Sequence, residues 1–342
     1  MKNLKLLAIG MAIATAAMVG PAKADTLSDV QKRGMLVCGV NGPTGLTGFA
    51  VPDSQGHWRG LSVDVCRAIA SAIFGDDTKL KYVPVGTKER FTALQSGEID
   101  VLVREATWTF SRENSLGLEF VAVEYYDGQG FMVHKELGVD SALNLSGATI
   151  CVQTGTTTEK NLADYFQANK MELKTVVFET DEETRLAYDE GRCDAYTTDA
   201  SALAADRTQL KNPADNIILP QIISKEPLSP AVRHGDDRWA GIVRWSFFAM
   251  LIAEEKGITQ ANVDQVKASS KDPEVQRLLG TGDDMGKMMG LSKDWGYNII
   301  KNVGNYGECF ERNVGLKTPL GLARGLNELW NKGGLQYAPP IR

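Results

Sequence analysis

Histidine is nearly absent from this chain: His57, His134 and His234 are the only three among 342 residues, and they stand far apart. No two of the five cysteines fall at C-x-x-C spacing. A zinc site needs clustered thiolates or imidazoles, so no metal site is expected. The common catalytic signatures are missing as well. There is no G-x-S-x-G and no H-E-x-x-H, and "GTGDDMG" at 280–286 lacks the strand, the Lys and the Ser/Thr of a phosphate-binding loop, so no cofactor is expected either.

Positive charge and long apolar runs are also scarce. Removing Lys2, Lys5 and Lys23 with the N-terminal segment leaves 34 basic against 43 acidic residues, a formal charge of −9. That balance argues against a nucleic-acid partner, which demands a basic face. The run Trp245–Ala253 ("WSFFAMLIA") is too short to cross a bilayer and reads as a core-facing helix, with Glu254-Glu255-Lys256 reaching solvent. The other run, Leu6–Met18, follows Lys2 and Lys5 and ends in the small residues of Ala22-Lys23-Ala24. This is the pattern of a secretory leader over residues 1–24, cleaved after Ala24, rather than of a membrane anchor. The mature chain is then exported and begins at Asp25.

What is present is a repeated α/β grammar. "MLVCGV", "LKYVPV" and "IDVLV" read as strands separated by the helices "SVDVCRAIASAIFG" and "KERFTALQSG". After Gly147 the pattern restarts with strands "ATICVQT", "KTVVFET" and "CDAYTTD" around helices "TEKNLADYFQAN" and "DEETRLAYDEG". Short apolar strands alternating with amphipathic helices predict mostly parallel sheets flanked by helices, here in two lobes. Two extended segments, "YYDGQGFMVHKELG" and "ILPQIISKEPLSPAVRHGD", separate the sets, and the three prolines of the second forbid helix. Two crossings predict an inserted lobe: 25–129 with 227–342 as the first, 130–226 as the second, and hinges near 128–133 and 223–228. A paired hinge predicts closure around a ligand. The cysteines follow the same repeat. Cys38 lies in a strand and Cys66 on the next helix, while Cys151 lies in a strand and Cys193 just before another. Pairs Cys38–Cys66 and Cys151–Cys193 suit an oxidising compartment, with free thiols as the alternative.

The loop after "DVLV" draws attention to itself. Thr107 is followed five residues later by Arg112, at the carboxyl end of a parallel strand, where open α/β sheets hold small ligands. A hydroxyl and a guanidinium suit a carboxylate. In the second set, "QTGTTTE" lets Thr156 and Thr157 open a helix whose free N–H groups attract an anion.

The segments "GLSVDVCRAIASAIFGD", "RFTALQSGEIDVLVREATWTFSRE", "YYDGQGFMV", "CVQTGTTTEKNLADYF", "GRCDAYTTDASAL", "PLSPAVRHGD" and "NYGECFERN" resemble, in order, the family 3 periplasmic solute-binding proteins, the amino-acid receptors of ATP-binding-cassette importers. The likeness is nearest to the general L-amino-acid and glutamate/glutamine/aspartate/asparagine-binding branch. The resemblance implies a two-lobed type II periplasmic binding protein that clamps a free L-amino acid, works as a monomer and delivers to inner-membrane permease subunits. It places Arg112, Thr107, Thr157 and Thr156 on the ligand's α-carboxylate and Asp199 on its α-ammonium. It puts Thr87 and Arg90 at the ligand's side chain and makes Phe49 a candidate lid. Glu105 and Ala106 depart from that branch, which carries small polar or amide residues there. Glu105 is therefore both a candidate wall residue and the proton donor that the competing reading requires, a secreted prephenate- or arogenate-dehydratase-like enzyme on the same fold.

Overall fold

The computed structural model describes residues 25–42 and 45–342, so the leader expected over residues 1–24 lies outside the described residues. Strands Leu36–Val40, Leu80–Pro84 and Val101–Leu102 alternate with helices Leu61–Phe74 and Arg90–Ser96. They form a five-stranded sheet in the order 80–84, 36–40, 101–102, 231–233 and 118–120. The first three run parallel, and Ala231–Arg233 is antiparallel to both of its neighbours. The second sheet repeats this plan with the order 174–178, 149–153, 195–199, 129–134 and 216–218. Its first three strands are parallel and Gln129–His134 is the reversed one. In each sheet the reversed strand is the one the chain enters directly from a crossing. The other strands therefore present their carboxyl ends, and the loops that follow them, to the opposite lobe.

The crossings pair with each other. Tyr125–Asp127 and Glu226–Leu228 form a two-stranded antiparallel ribbon, with Asp127 opposite Glu226 and Tyr126 opposite Pro227. Residues 129–133, inside the segment read as the first hinge, belong to the reversed strand Gln129–His134 of the second sheet. Gly128 lets the two crossings approach: a Cβ there would sit 2.2 Å from Ile222 Cγ2 and 2.8 Å from the Ser224 carbonyl oxygen.

Both expected disulfides are formed. Cys38 in a strand joins Cys66 on the following helix, Cys151 joins Cys193, and Cys309 is a buried free thiol. "WSFFAMLIA" lies within helix Asp237–Glu255 and packs into the first-lobe core. Its carboxyl end departs from the sequence reading, because Glu254 pairs with Arg324 at 3.1 Å instead of facing solvent. Among the described residues no helix is long and apolar enough to cross a membrane.

Asp127 gives the ribbon a pH dependence. Its carboxylate accepts the Gly128 N–H at 2.8 Å and bonds Ser201 Oγ, yet burial, opposed by these bonds, raises its pKa from 3.8 to about 6. Between those values the folded protein holds a proton that the unfolded chain has released, so stability falls as pH rises through the window. At about 1.36 kcal/mol per unit the full effect is on the order of 3 kcal/mol. Asp127→Asn, neutral at every pH, should therefore gain stability relative to wild type between pH 4 and pH 7. Paired melting curves across that range check this, and a difference constant with pH would refute it.

Candidate functional site

The loops at the carboxyl ends of the parallel strands enclose a cavity of about 360 Å³ between the lobes. From the first lobe come Asn41, Thr87, Arg90, Arg104, Glu105 and Thr107, and from the second Gln153, Thr156, Thr157, Asp181 and Asp199. The lobes touch across it. Thr107 Oγ1 lies 3.3 Å from Thr157 Oγ1, Gln153 Nε2 donates to Thr87 Oγ1 at 3.0 Å, and Lys88 pairs with Glu179.

Thr156 is the N-cap of helix Thr157–Ala168. Its hydroxyl accepts the Glu159 N–H at 3.0 Å and donates to the Gln153 carbonyl at 2.7 Å, so the turn itself occupies it. Gly155 holds a φ of +74° there, a conformation that favours glycine. This capping leaves the Thr157 hydroxyl to face Thr107 across the cleft and to donate to Glu226 Oε2 of the hinge ribbon at 2.9 Å.

Arg112 is buried beside the wall residue Thr107 and does not itself line the cavity. One guanidinium N–H donates to the Thr107 carbonyl at 2.8 Å, and the group sits 5.2 Å from the centre of the Phe91 ring. Among the described residues it pairs with no carboxylate at ion-pair distance. Burial lowers its pKa, while the negative fields of Glu226 and Asp199 act the other way. A guanidinium nevertheless stays charged, so it is a buried cation lacking a contact anion.

Asp199 is the matching anion. It occupies the N-cap position of helix Ala200–Arg207 but makes no capping bond, and its Oδ1 is buried without a partner among the described residues. Burial, then the nearby Asp127 and Glu226, drives its pKa well above the ordinary carboxylate range, against the pull of Arg112 and Arg90. An incoming ammonium would relieve that unfavourable charge.

The wall also holds Arg104 and Asn41, which sequence reasoning did not single out, together with the expected Arg90 and Glu105. Arg104 follows the strand Val101–Leu102 and donates to the Val85 carbonyl at 2.8 Å and to Thr87 Oγ1 at 2.9 Å. Its position at a strand's carboxyl end was the available signal. Arg90 is 4% exposed, and among the described residues its Nε and Asn41 Oδ1 have no partner. Glu105 holds a φ of +34°, a strained backbone for a residue with a side chain. Its Oε1 accepts from Ser62 Oγ at 2.7 Å, its Oε2 has no partner among the described residues, and burial raises its pKa against that bond and the Arg104 field.

One expectation needs correction. Phe49 is not a lid: it is 1% exposed in the first-lobe core, edge-on to Tyr125 with ring centres 5.4 Å apart. The bridge between Leu46 and Ala50 folds its turn back onto the lobe, which drives the ring inward. Trp108, next to Thr107, is 37% exposed, stacked on Phe120 and bonded through Nε1 to Glu113 at 2.9 Å.

A family model described as bacterial extracellular solute-binding proteins, family 3, matches residues 36–277. The chain is 60% identical over 345 residues to a general L-amino acid-binding periplasmic protein of Rhizobium johnstonii, covering all of both chains. It is 59% identical over 331 residues to a glutamate/glutamine/aspartate/asparagine-binding protein of Rhodobacter capsulatus, covering 96% of this chain and 97% of that one. A solved ABC transporter periplasmic binding protein from Brucella ovis, with glutathione bound, aligns with a TM-score of 0.91 at 62% identity, covering 93% of this chain and all of that one. The two-lobed architecture is that of a periplasmic binding protein, and the chain belongs to the bacterial extracellular solute-binding proteins of family 3.

Proposed function

We propose that this protein captures free L-amino acids in the periplasm and hands them to the permease of an ATP-binding-cassette importer, acting as a monomer after cleavage behind Ala24. The observation that carries the reading is the pairing of two uncompensated charges at one cleft. A buried guanidinium without a contact anion, Arg112, lies beside Thr107 and Thr157, and a buried carboxylate oxygen without a donor, Asp199 Oδ1, faces the same space from the other lobe. A zwitterion supplies both missing partners. Since the charges come from different lobes, ligand favours the closed arrangement over any open one, and closure follows from that difference in affinity. The hinge lies at the ribbon of 125–127 with 226–228, with the lobe of 130–226 inserted in the other. Thermal shift against all common L-amino acids tests this. A ligand at 100 times its Kd adds about 2.7 kcal/mol of stability, and a panel without a single shift would overturn the reading.

Arg90 and Thr87 are assigned to the ligand's side chain. Arg90→Ala should then weaken acidic and amide amino acids by tenfold or more while leaving alanine within about twofold, a difference near 1.4 kcal/mol. Calorimetry with glutamate, glutamine and alanine reads it, and a uniform loss would remove Arg90 from the side-chain subsite.

A larger ligand has one specific observation in its favour. The cavity, at about 360 Å³, falls within the range of roughly 300–1,000 Å³ typical of drug-sized molecules, and the relative from Brucella ovis holds glutathione. Glutathione therefore belongs in the panel. The dehydratase reading built on Glu105 has no counterpart among these relatives, which are named as binding proteins. Unchanged prephenate and arogenate after prolonged incubation is the expected result.

A further inference from the structure

The residues of the hinge ribbon are held by one lobe or the other, and the boundary falls between two adjacent rungs. On the first crossing, Tyr126 N–H donates to Asn327 Oδ1 at 2.7 Å, and the Tyr126 carbonyl accepts from Asn327 Nδ2 at 3.1 Å. Asn327 is 3% exposed, and the Arg324 guanidinium donates to its carbonyl at 2.9 and 3.1 Å while pairing with Glu254 of the long first-lobe helix. Just upstream, Gln336 Nε2 donates to the Val123 carbonyl at 3.1 Å and Tyr306 Oη to the Glu124 carbonyl at 2.9 Å. Everything as far as Tyr126 is therefore tied to the first lobe. The next residue is tied to the second: the Asp127 carboxylate bonds Ser201 Oγ, and the Gly128 carbonyl accepts the Ala200 N–H at 2.8 Å.

The returning crossing divides at the same level. Glu226 is gripped by Thr157 at 2.9 Å and Asn161 at 2.6 Å, both on a second-lobe helix. The Pro227 carbonyl accepts the Trp108 N–H of the first lobe at 2.9 Å. Asp127 faces Glu226 and Tyr126 faces Pro227, so second-lobe attachment ends and first-lobe attachment begins between two adjacent rungs.

We propose that the lobes swivel between the rungs 126/227 and 127/226, and that Asn327 is the positioning residue that pins the first-lobe side of that axis. Asn327 lies beyond the residues 36–277 matched by the family model. Its amide meets both backbone groups of Tyr126, as a third strand would, and leaves the bonds between the two rungs as the free pivots. The effect on ligand rests on the clamshell reading above, whereas the pinned axis does not. Loss of the pin lets Tyr126 move with the second lobe, spreads the bend over more residues, and lets the closed state open more readily.

The test compares wild type, Asn327→Ala and a buried truncation outside the ribbon, Val275→Ala, each carrying dyes at Lys32→Cys and Lys170→Cys, one exposed site per lobe. Single-molecule energy transfer in ligand-free protein should show a broader inter-lobe distribution for Asn327→Ala alone, although both variants lose melting temperature. For an amino acid identified in the thermal-shift panel, Asn327→Ala should release it about tenfold faster, about 1.4 kcal/mol, with the rank order of ligands unchanged because no cavity residue is altered. An unchanged distribution in Asn327→Ala would overturn the proposal, as would equal broadening in Val275→Ala. If wild type binds no amino acid, the function proposed above fails, and the ligand-free distribution still decides the hinge.

Discussion

Arg112→Ala and Asp199→Ala are each expected to weaken every L-amino-acid ligand by about 30-fold or more while leaving the fold intact. Removing one partner of a buried, charge-assisted bond leaves the ligand's charge desolvated and unpaired, at about 2–5 kcal/mol. Tenfold in affinity is 1.4 kcal/mol, so the low end of that range is already about 30-fold. The two losses differ in kind. Arg112 is already bonded to the Thr107 carbonyl at 2.8 Å, so its removal also loosens the loop that presents the Thr107 hydroxyl. Asp199 makes no capping bond and its Oδ1 has no partner among the described residues, so its truncation removes an unsatisfied buried carboxyl group from the empty cleft and should raise the melting temperature without ligand. That opposition, weaker binding with a more stable empty protein, separates a ligand contact from a structural role. Calorimetry with amino acids, their amides and their decarboxylated amines completes the test. Amines that bind as tightly as the parent amino acids would show that Arg112 does not hold a carboxylate, and a lower melting temperature in ligand-free Asp199→Ala would make that carboxylate structural.

The second large effect is on stability. Cys38–Cys66 and Cys151–Cys193 close sequence separations of 28 and 42 residues. In the loop-entropy treatment, closing loops of these lengths removes about 3.5–4 kcal/mol of freedom from the unfolded chain. Replacing either pair by serines should cost up to that amount, lowering the denaturant midpoint with the ligand rank order preserved. The Cys38 pair joins a central strand to the helix Leu61–Phe74 of the first-lobe core, so its loss should destabilise the first lobe. The Cys151 pair joins the strand Thr149–Gln153 to the turn just before the adjacent strand Ala195–Asp199, so its loss should appear as earlier unfolding of the second sheet in hydrogen exchange. Midpoints within about 0.5 kcal/mol of wild type in both variants would mean that the folded lobes hold those strands without the bridges. Cys309, buried and free, should be inert to alkylation in the native state, because burial pushes its thiol pKa up.

Much of this architecture was legible in the chain because its signals are local. Strand and helix periods, the capping threonine of "QTGTTTE" and the repeated cysteine placement depend on neighbours within a few residues, and the structure keeps them all. The sheet rule also carries from sequence to site: Thr107, Thr157 and Asp199 follow parallel strands, and the cavity lies where those strands end. Tertiary structure alone decided the remainder. Phe49 stands in a glycine-rich loop that reads as exposed, and it is buried because a fold-back bridge places it against Tyr125, distant in sequence. Arg104 reads as the charged end of a strand and becomes a cavity wall because the loop after Leu80–Pro84, two strands away in the sheet, brings Thr87 to its guanidinium. Asn327 reads as an ordinary polar residue near the carboxyl terminus, yet it completes the backbone of Tyr126 across 201 positions of sequence. Periodicity encodes which face of an element is buried, whereas sheet order and the return of the chain through the hinge determine which distant side chains share a space, and no local pattern records that.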